Sequence, residues 1–110
     1  MKSIYRLKKN YQYNYVYKHA KSVADKNFVM LYCKSGNYQS QVGFSVSKKF
    51  GNAVHRNKIR RQLKAAVSPF MPRVTPHHNI IIIPRKSNSY VYADIEKSVT
   101  ELFDKSGLLK

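Results

Sequence analysis

The chain has 110 residues, a single cysteine and a formal net charge of +16, from 21 lysines and arginines against five acidic residues. This length predicts one domain, 1–110, and an apolar fraction of 43% is enough for a hydrophobic core. One cysteine excludes an intrachain disulfide, and the longest apolar run, Phe28 to Cys33, is too short to span a bilayer. No apolar run of signal-peptide length follows the basic N-terminus, so we expect a cytoplasmic protein. The large positive charge indicates a polyanionic partner.

The first half of the chain predicts a helix and two strands. Asn10 is a plausible N-cap of a helix over about 10–19. Its apolar and aromatic side chains recur at helical spacing, at Tyr13, Val16 and Tyr17. The segment NFVMLYCK predicts a central strand because both of its faces are apolar. The turn signal in KSGNYQ then predicts a hairpin to the next strand, QVGFSVS.

The second half predicts two more helices around one buried strand. A helix from the N-cap Asn52 to about Val67 has a buried stripe at Ile59, Leu63, Ala66 and Val67. The segment NIIIIP is apolar on both faces, as in a parallel or fully covered sheet. A last helix, about 90–105, has its apolar stripe at Tyr92, Ile95, Val99, Leu102 and Phe103. The order α-β-β-α-β-α predicts an α/β sandwich with a small central sheet.

The strand QVGFSVS has one face made only of small residues. Val42, Phe44 and Val46 form its apolar face, and the opposite strip is Gly43, Ser45 and Ser47. Such a strip accommodates either a closely packed helix or a bulky ligand. Tyr13 and Tyr17 share a face of the first helix and are placed to rest beside it. The pair then forms the aromatic wall of a groove on which RNA bases can stack, or it belongs to the core.

The helix after Asn52 carries many cations and no acid. Arg56, Arg60 and Lys64 fall in one i, i+4 row, and Asn57 and Arg61 fall in the adjacent row. Lys48 and Lys49 precede the helix, whose N-terminus adds free N–H groups and the positive end of its dipole. Arginine and asparagine suit phosphate and base recognition, so this pattern favours polyanion binding over a merely solvated face.

The sequence predicts no catalytic residue and no metal site in the protein. His77 and His78 are adjacent, and no cysteine–histidine spacing resembles a zinc site. The acids form no pair outside the last helix, where a metal-dependent nuclease would need ligands. Arg85 and Lys86 follow the last strand and suit either a loop or an anion site.

The segment GFSVSKKFGNAVHRNKIRRQLK resembles the bacterial ribonuclease P protein component family. Arg56-Asn57-Lys58 is similar to that family's RNR signature, and the family's Gly-Asn-Ala turn precedes it. The resemblance extends to YRLKKN, VYKHAKSVA, NFVMLYC and IIIIPRK, which together span most of the chain. Lys58 stands in place of the second arginine, His55 replaces a small or aliphatic residue, and tyrosines replace phenylalanines in the first helix.

The resemblance implies an endoribonuclease subunit whose chemistry belongs to an RNA. The family binds a catalytic RNA, and the complex removes the 5′ leader of precursor tRNA with Mg²⁺ that is bound mainly by that RNA. It also implies a monomeric protein that joins the RNA one to one, and a left-handed β-α-β crossover, against the general handedness rule.

The resemblance further implies two separate surfaces. The surface for the RNA subunit comprises Arg56, Asn57, Lys58, Arg60, Arg61 and Lys64. The cleft for the single-stranded leader comprises Tyr13, Tyr17, Ser45, Ser47, Lys48, Lys49, Arg85 and Lys86. A ribosomal or general RNA-binding structural protein is the alternative; it explains the charge and the tyrosines but not the segment 48–64. An autonomous nuclease is disfavoured because its ligands are missing.

Overall fold

The computed structural model of the chain describes residues 1–85 and 90–110, which form three helices and one four-stranded sheet. In chain order the elements are α1 (Asn10–His19), β1 (Lys21–Ala24), β2 (Phe28–Lys34), β3 (Gln41–Phe44), α2 (Ala53–Val67), β4 (His78–Pro84) and α3 (Tyr92–Ser106). Short 3-10 turns cover Ser3–Tyr5, Lys48–Phe50 and Ser68–Arg73. The predicted class, an α/β sandwich around a small mixed sheet, is confirmed.

The sheet is ordered around β4, which has a partner on each side. The strand order is β1-β2-β4-β3, with β4 antiparallel to β2 and parallel to β3. Ile80 and Ile82 face one core and Ile81 faces the other, so the strand is buried on both faces as predicted. The parallel pair is joined through α2, and the left hand of this crossover stays a prediction.

The predicted hairpin between β2 and β3 is wrong, because β4 lies between them. The loop that joins them wraps around the start of β4: the Ser35 N–H donates to the His77 carbonyl at 2.8 Å, and the His77 N–H donates to the Tyr38 carbonyl at 2.9 Å. A strand that is apolar on both faces gains more from two neighbours than from an edge position, and this non-local pairing outweighs the local turn.

One missed strand and two element boundaries also differ from the prediction. β1 was not predicted, so the order is α-β-β-β-α-β-α. β3 ends at Phe44, although the Ser45 N–H still donates to the Ile82 carbonyl at 3.0 Å. The N-cap of α1 is Lys9 and not Asn10; the Gln12 side chain accepts the Lys9 N–H at 3.2 Å, which satisfies this end of the helix.

The two faces of the sheet are covered unequally. α2 and α3 pack on one face and build the larger core, and the predicted stripe of α2 is buried throughout. The stripe of α3 is buried except for Tyr92, which is the first helical residue and is exposed. The opposite face is covered by α1 through a small cluster that contains Leu7, Val16 and Ile81. Both flanks of α1 therefore remain open. Within the described ranges no helix is long and apolar enough to cross a membrane.

Candidate RNA-binding site

The turn before α2 caps the helix and leaves two lysines exposed beside its N-terminus. The Asn52 carboxamide accepts the His55 N–H at 3.0 Å, which confirms Asn52 as the N-cap. Gly51 lies so close to the first helical turn that a Cβ there would be 3.1 Å from the Cβ of His55. Lys48 and Lys49 are exposed just before this turn, so both lysines stand next to the positive end of the helix dipole.

The cations of α2 fall on two flanks. Arg56, Arg60 and Lys64 are half-buried, whereas Asn57, Lys58 and Arg61 are exposed. The Arg60 guanidinium donates to the Asn57 carboxamide oxygen at 3.1 Å, and the buried Nε of Arg56 has no hydrogen-bond partner. A buried donor without a partner is uncommon in native proteins, so the half-buried flank is suited to receive an acceptor such as a phosphate oxygen.

Tyr13 packs closely against β3 because residue 43 has no side chain. A Cβ at Gly43 would be 2.6 Å from Cζ of the Tyr13 ring. The Tyr13 hydroxyl donates to the Leu7 carbonyl at 3.4 Å. Burial raises the pKa of Tyr13, so this phenol stays protonated at neutral pH. The predicted placement of the aromatic helix beside the strip of small residues is therefore confirmed at this position.

Tyr17 stands one turn further along α1, at the mouth of the same groove. Its hydroxyl donates to Oγ of Ser45 at 2.9 Å, and 47% of the residue remains exposed. The ring is held at one end while its surface stays accessible, as base stacking requires. Ser47 lies beyond the end of β3 and is exposed next to Lys48, so it belongs to the rim and not to the floor of the groove.

A cavity of about 190 Å³ joins this groove to α2. Its lining includes Arg6, Leu7, Tyr13, Gly43, Arg60 and Lys64. The aromatic ring of Tyr13, the glycine of β3 and the cations therefore line one cavity. Arg60 and Lys64, which the resemblance assigns to the surface for the RNA subunit, thus line the same cavity as Tyr13 and Gly43, whereas Lys58 and Arg61 are exposed. Which RNA each residue contacts stays a prediction.

The N-terminal segment completes the cleft, and its role was missed from the sequence. The Leu7 N–H donates to the Val42 carbonyl at 3.0 Å, and the Leu7 side chain is buried. This anchor brings Arg6 into the lining of the cavity. The apolar residues Ile4, Tyr5 and Leu7 among four cations were the signal that could have indicated it, since apolar residues in a basic segment favour burial.

Arg85, predicted in the cleft, is hydrogen-bonded to the turn between β1 and β2. Its guanidinium donates to the Asp25 carbonyl at 2.9 Å, and its N–H donates to the Asn27 carbonyl at 2.9 Å. These bonds tie the end of β4 to the turn between β1 and β2. Lys86, predicted beside it, lies outside the described residues.

The face that carries the cleft has few groups suited to acid–base or metal chemistry. Among the described residues no three histidines, cysteines, aspartates or glutamates gather at one place. Asp25 accepts the N–H groups of Asn27 and Phe28, both at 2.8 Å. The other four acids lie on α3, across the sheet from α1. The cleft can neutralise phosphates, donate hydrogen bonds and stack bases.

Comparison with known proteins settles the family. A family model described as Ribonuclease P matches residues 1–107. The chain belongs to the ribonuclease P protein family. The Ribonuclease P protein component of Oceanobacillus iheyensis is 38% identical over 112 residues, covering 100% of this chain and 93% of that protein. That of Exiguobacterium sp. is 33% identical over 106 residues, covering 96% and 93%.

Solved structures of the family share the fold. The Staphylococcus aureus RNase P protein superposes with a TM-score of 0.87 at 31% identity, covering 96% of this chain and 98% of that chain. The Thermotoga maritima protein superposes with a TM-score of 0.80 at 27% identity, covering 91% and 96%. The resemblance that starts from the segment 43–64 is confirmed. Family membership makes the chain an RNA-binding component of an endoribonuclease ribonucleoprotein that acts in tRNA 5′ processing.

Proposed function

We propose that the chain binds the catalytic RNA of ribonuclease P through the exposed flank of α2 and holds the single-stranded 5′ leader of precursor tRNA in the cleft. The observation that carries this proposal is the cavity shared by Tyr13, Gly43, Arg60 and Lys64. It combines an aromatic side chain, a glycine that leaves room beside it and, with Arg6, three cations, which are the parts that a single strand needs.

Each group of residues has a physical task in this proposal. The half-buried cations Arg60 and Lys64 neutralise leader phosphates, and the exposed ring of Tyr17 stacks on a base. Lys58 and Arg61 point away from the core and contact phosphates of the RNA subunit. Lys48 and Lys49 stand between the two surfaces and add to the attraction of both RNAs.

Leader binding promotes the reaction without a protein catalytic group. Contacts remote from the scissile bond raise the affinity for precursor tRNA over mature tRNA, which lacks the leader. The positive charge of the protein also reduces the repulsion between two RNA molecules. We assign the hydrolysis to the RNA subunit and the role of substrate positioning to the protein, as one chain per RNA that is monomeric when alone.

We assign Mg²⁺ mainly to the RNA subunit. The ion prefers carboxylate and phosphate oxygens, and the cleft presents cations, hydroxyls and an aromatic wall instead. These side chains do not fit a magnesium site, so no step of the proposed role depends on a metal held by the protein.

The test adds the protein to ribonuclease P RNA and precursor tRNA at a low Mg²⁺ concentration. We expect faster cleavage at the 5′ end of the mature sequence than with the RNA alone. Unchanged cleavage would contradict the proposal, and so would cleavage by the protein in the absence of the RNA, which would indicate an autonomous nuclease. Equal affinity for an unrelated structured RNA would favour a general RNA-binding protein.

A further inference from the structure

A second and larger cavity lies on the other flank of α1. It measures about 490 Å³. Its lining includes Tyr11, Gln12, Tyr15, Lys34, Asn37 and Asn79. Tyr11 and Tyr15 are four residues apart and form one row of the helix, whereas Tyr13 and Tyr17 form another. Helix α1 therefore stands between this cavity and the leader cleft, and the proposed function makes no use of it.

The two tyrosines of this cavity are not part of the hydrophobic core. Tyr11 is 68% exposed and Tyr15 is 52% exposed. The ring of Tyr15 packs against His19 with centroids 4.3 Å apart, which holds it in place and leaves the rest of its surface open. Exposed aromatic rings next to an open cavity are platforms for flat, unsaturated ligands.

Asn79 supplies an unused polar group in the wall of the same cavity. This residue is only 5% exposed, and its Oδ1 has no hydrogen-bond partner. Gln41 is its direct neighbour in the parallel pair of strands, and Oε1 of Gln41 is also buried without a partner. Because buried acceptors in native proteins are nearly always paired, this end of the sheet is short of hydrogen-bond donors. Because Asn79 lines the cavity, this unmet acceptor belongs to a residue that a ligand in the cavity would contact.

The charge around the cavity selects an anionic ligand. Lys34 lines it, and the acids of α3 lie across the sheet. The cavity offers two exposed aromatic rings, an unpaired acceptor and a lysine. A ligand that matches these three features is flat and aromatic, carries N–H donors on its edge and bears a negative charge. A nucleotide has this chemistry, since every RNA base presents a hydrogen-bonding edge and its backbone carries a phosphate. The volume is within the usual range of ligand pockets.

We propose that this cavity binds one unpaired nucleotide of RNA. The base stacks on Tyr11 and Tyr15, its edge bonds the amide of Asn79, and its phosphate pairs with Lys34. The inference rests on the proposed function only in taking RNA as the partner. The nucleotide comes either from a loop of the RNA subunit or from a distal part of the leader that passes around the end of α1.

The experiment measures the affinity of the double variant Tyr11→Ala/Tyr15→Ala for two RNAs. The first arm uses ribonuclease P RNA alone, and the second uses the holoenzyme with precursor tRNAs that carry a short or a long leader. Because one stacked base contributes roughly 5- to 150-fold in affinity, we expect a loss of about tenfold or more in one arm. Tyr92→Ala is the matched control, since it removes an exposed tyrosine from α3 on the other side of the sheet.

The outcomes show whether the nucleotide comes from the RNA subunit, from the leader or from neither. Weaker binding to the RNA subunit indicates a loop of that RNA, and weaker binding only with the long leader indicates the leader. Wild-type affinity in both arms would overturn the proposal. Thermal unfolding of each variant identifies losses that come from misfolding. A second variant, Lys34→Ala, should reduce the log–log salt slope by about 0.7 in the same arm.

The proposed function can fail independently of this inference. If Tyr17→Ala leaves leader binding intact while Tyr11→Ala/Tyr15→Ala weakens RNA binding, the leader cleft is wrong and the second cavity stands. The reverse pattern supports the cleft and removes the second site.

Discussion

Tyr13 and Tyr17 lie on one face of α1, but the structure gives them different surroundings. Tyr13 is half-buried against Gly43 and bonded to the N-terminal segment, so it is a fixed part of the wall of the cleft. Tyr17 is exposed and bonded only at its hydroxyl to Ser45. Removal of Tyr17 should therefore affect binding, whereas a change at Tyr13 or Gly43 should also affect stability.

Tyr17→Ala should lower the affinity for leader-bearing tRNA by about 1–3 kcal/mol and leave the affinity for mature tRNA unchanged. The ring is the stacking surface, and its exposure means that folding does not depend on it. Tyr17→Phe is the matched control, since it keeps the ring and removes only the bond to Ser45. Fluorescence anisotropy with both tRNAs checks this, and equal losses for both would make Tyr17 a structural residue.

Gly43→Ala should destabilise the protein by about 1–3 kcal/mol and weaken leader binding, because the new methyl group displaces the Tyr13 ring. Gly36→Ala is the control for stability, because a Cβ there meets no atom within 4 Å. Urea unfolding measures both variants. A Gly43→Ala protein as stable as the wild type, with normal leader affinity, would show that the ring can move at no cost.

At the scale of single residues, the sequence predicted that large tyrosines of α1 pack beside small residues of β3. Alternation along one strand identified Gly43 and Ser45, and helical spacing identified Tyr13 and Tyr17. Ser47 was misplaced because β3 ends at Phe44, before the alternation in the sequence does. The role of Arg85 depends on the Asp25 carbonyl, a partner 60 residues away that no local pattern indicates.

The structure gives the two flanks of helix α2 different surroundings. Arg60 and Lys64 line the cleft, whereas Lys58 and Arg61 are exposed on the outer side. The flanks differ because the apolar stripe of Ile59 and Leu63 fixes the rotation of the helix against the core.

Two charge-matched double variants test this division. Lys58→Ala/Arg61→Ala should mainly weaken binding to the RNA subunit, and Arg60→Ala/Lys64→Ala should mainly reduce the preference of the holoenzyme for precursor over mature tRNA. Each pair removes two positive charges, so non-specific attraction falls equally. The log–log salt dependence of RNA-subunit binding should become less steep mainly for the first pair, in proportion to the phosphate contacts that it loses. Identical effects of the two pairs on both measurements would indicate a uniform basic surface.

At the scale of elements the helices and buried strands were predictable, and the sheet order was not. Periodicity identified α1, α2 and β4 because their burial is one-sided or complete. β1 has four residues at the edge of the sheet, mostly exposed, so it shows no apolar alternation. The position of β4 between β2 and β3 depends on pairing between distant segments, which the turn signal at Gly36 obscured.

The charges of the whole molecule are unevenly placed. Four of the five acids lie on α3, whereas the described lining of the cleft contains the cations Arg6, Arg60 and Lys64 and no acid. The excess of 16 positive charges makes the compact state self-repulsive, and the same field attracts RNA. Salt weakens both the repulsion within the protein and the attraction for RNA, so it should raise the stability of the free protein and lower its affinity for RNA.

Raising NaCl from about 0.01 M to about 0.1 M should therefore stabilise the free protein and weaken its complex with RNA. The Debye length falls from about 30 Å to about 10 Å over this range, which screens repulsion between cations on different elements of a chain whose principal extent is 34 Å. Urea midpoints at the two concentrations should rise, while the affinity for leader-bearing tRNA falls with a log–log slope of about −0.7 per single-strand phosphate neutralised. A midpoint that falls with salt would mean that attractive ion pairs outweigh the repulsion, and the excess charge would then carry no cost that RNA binding relieves.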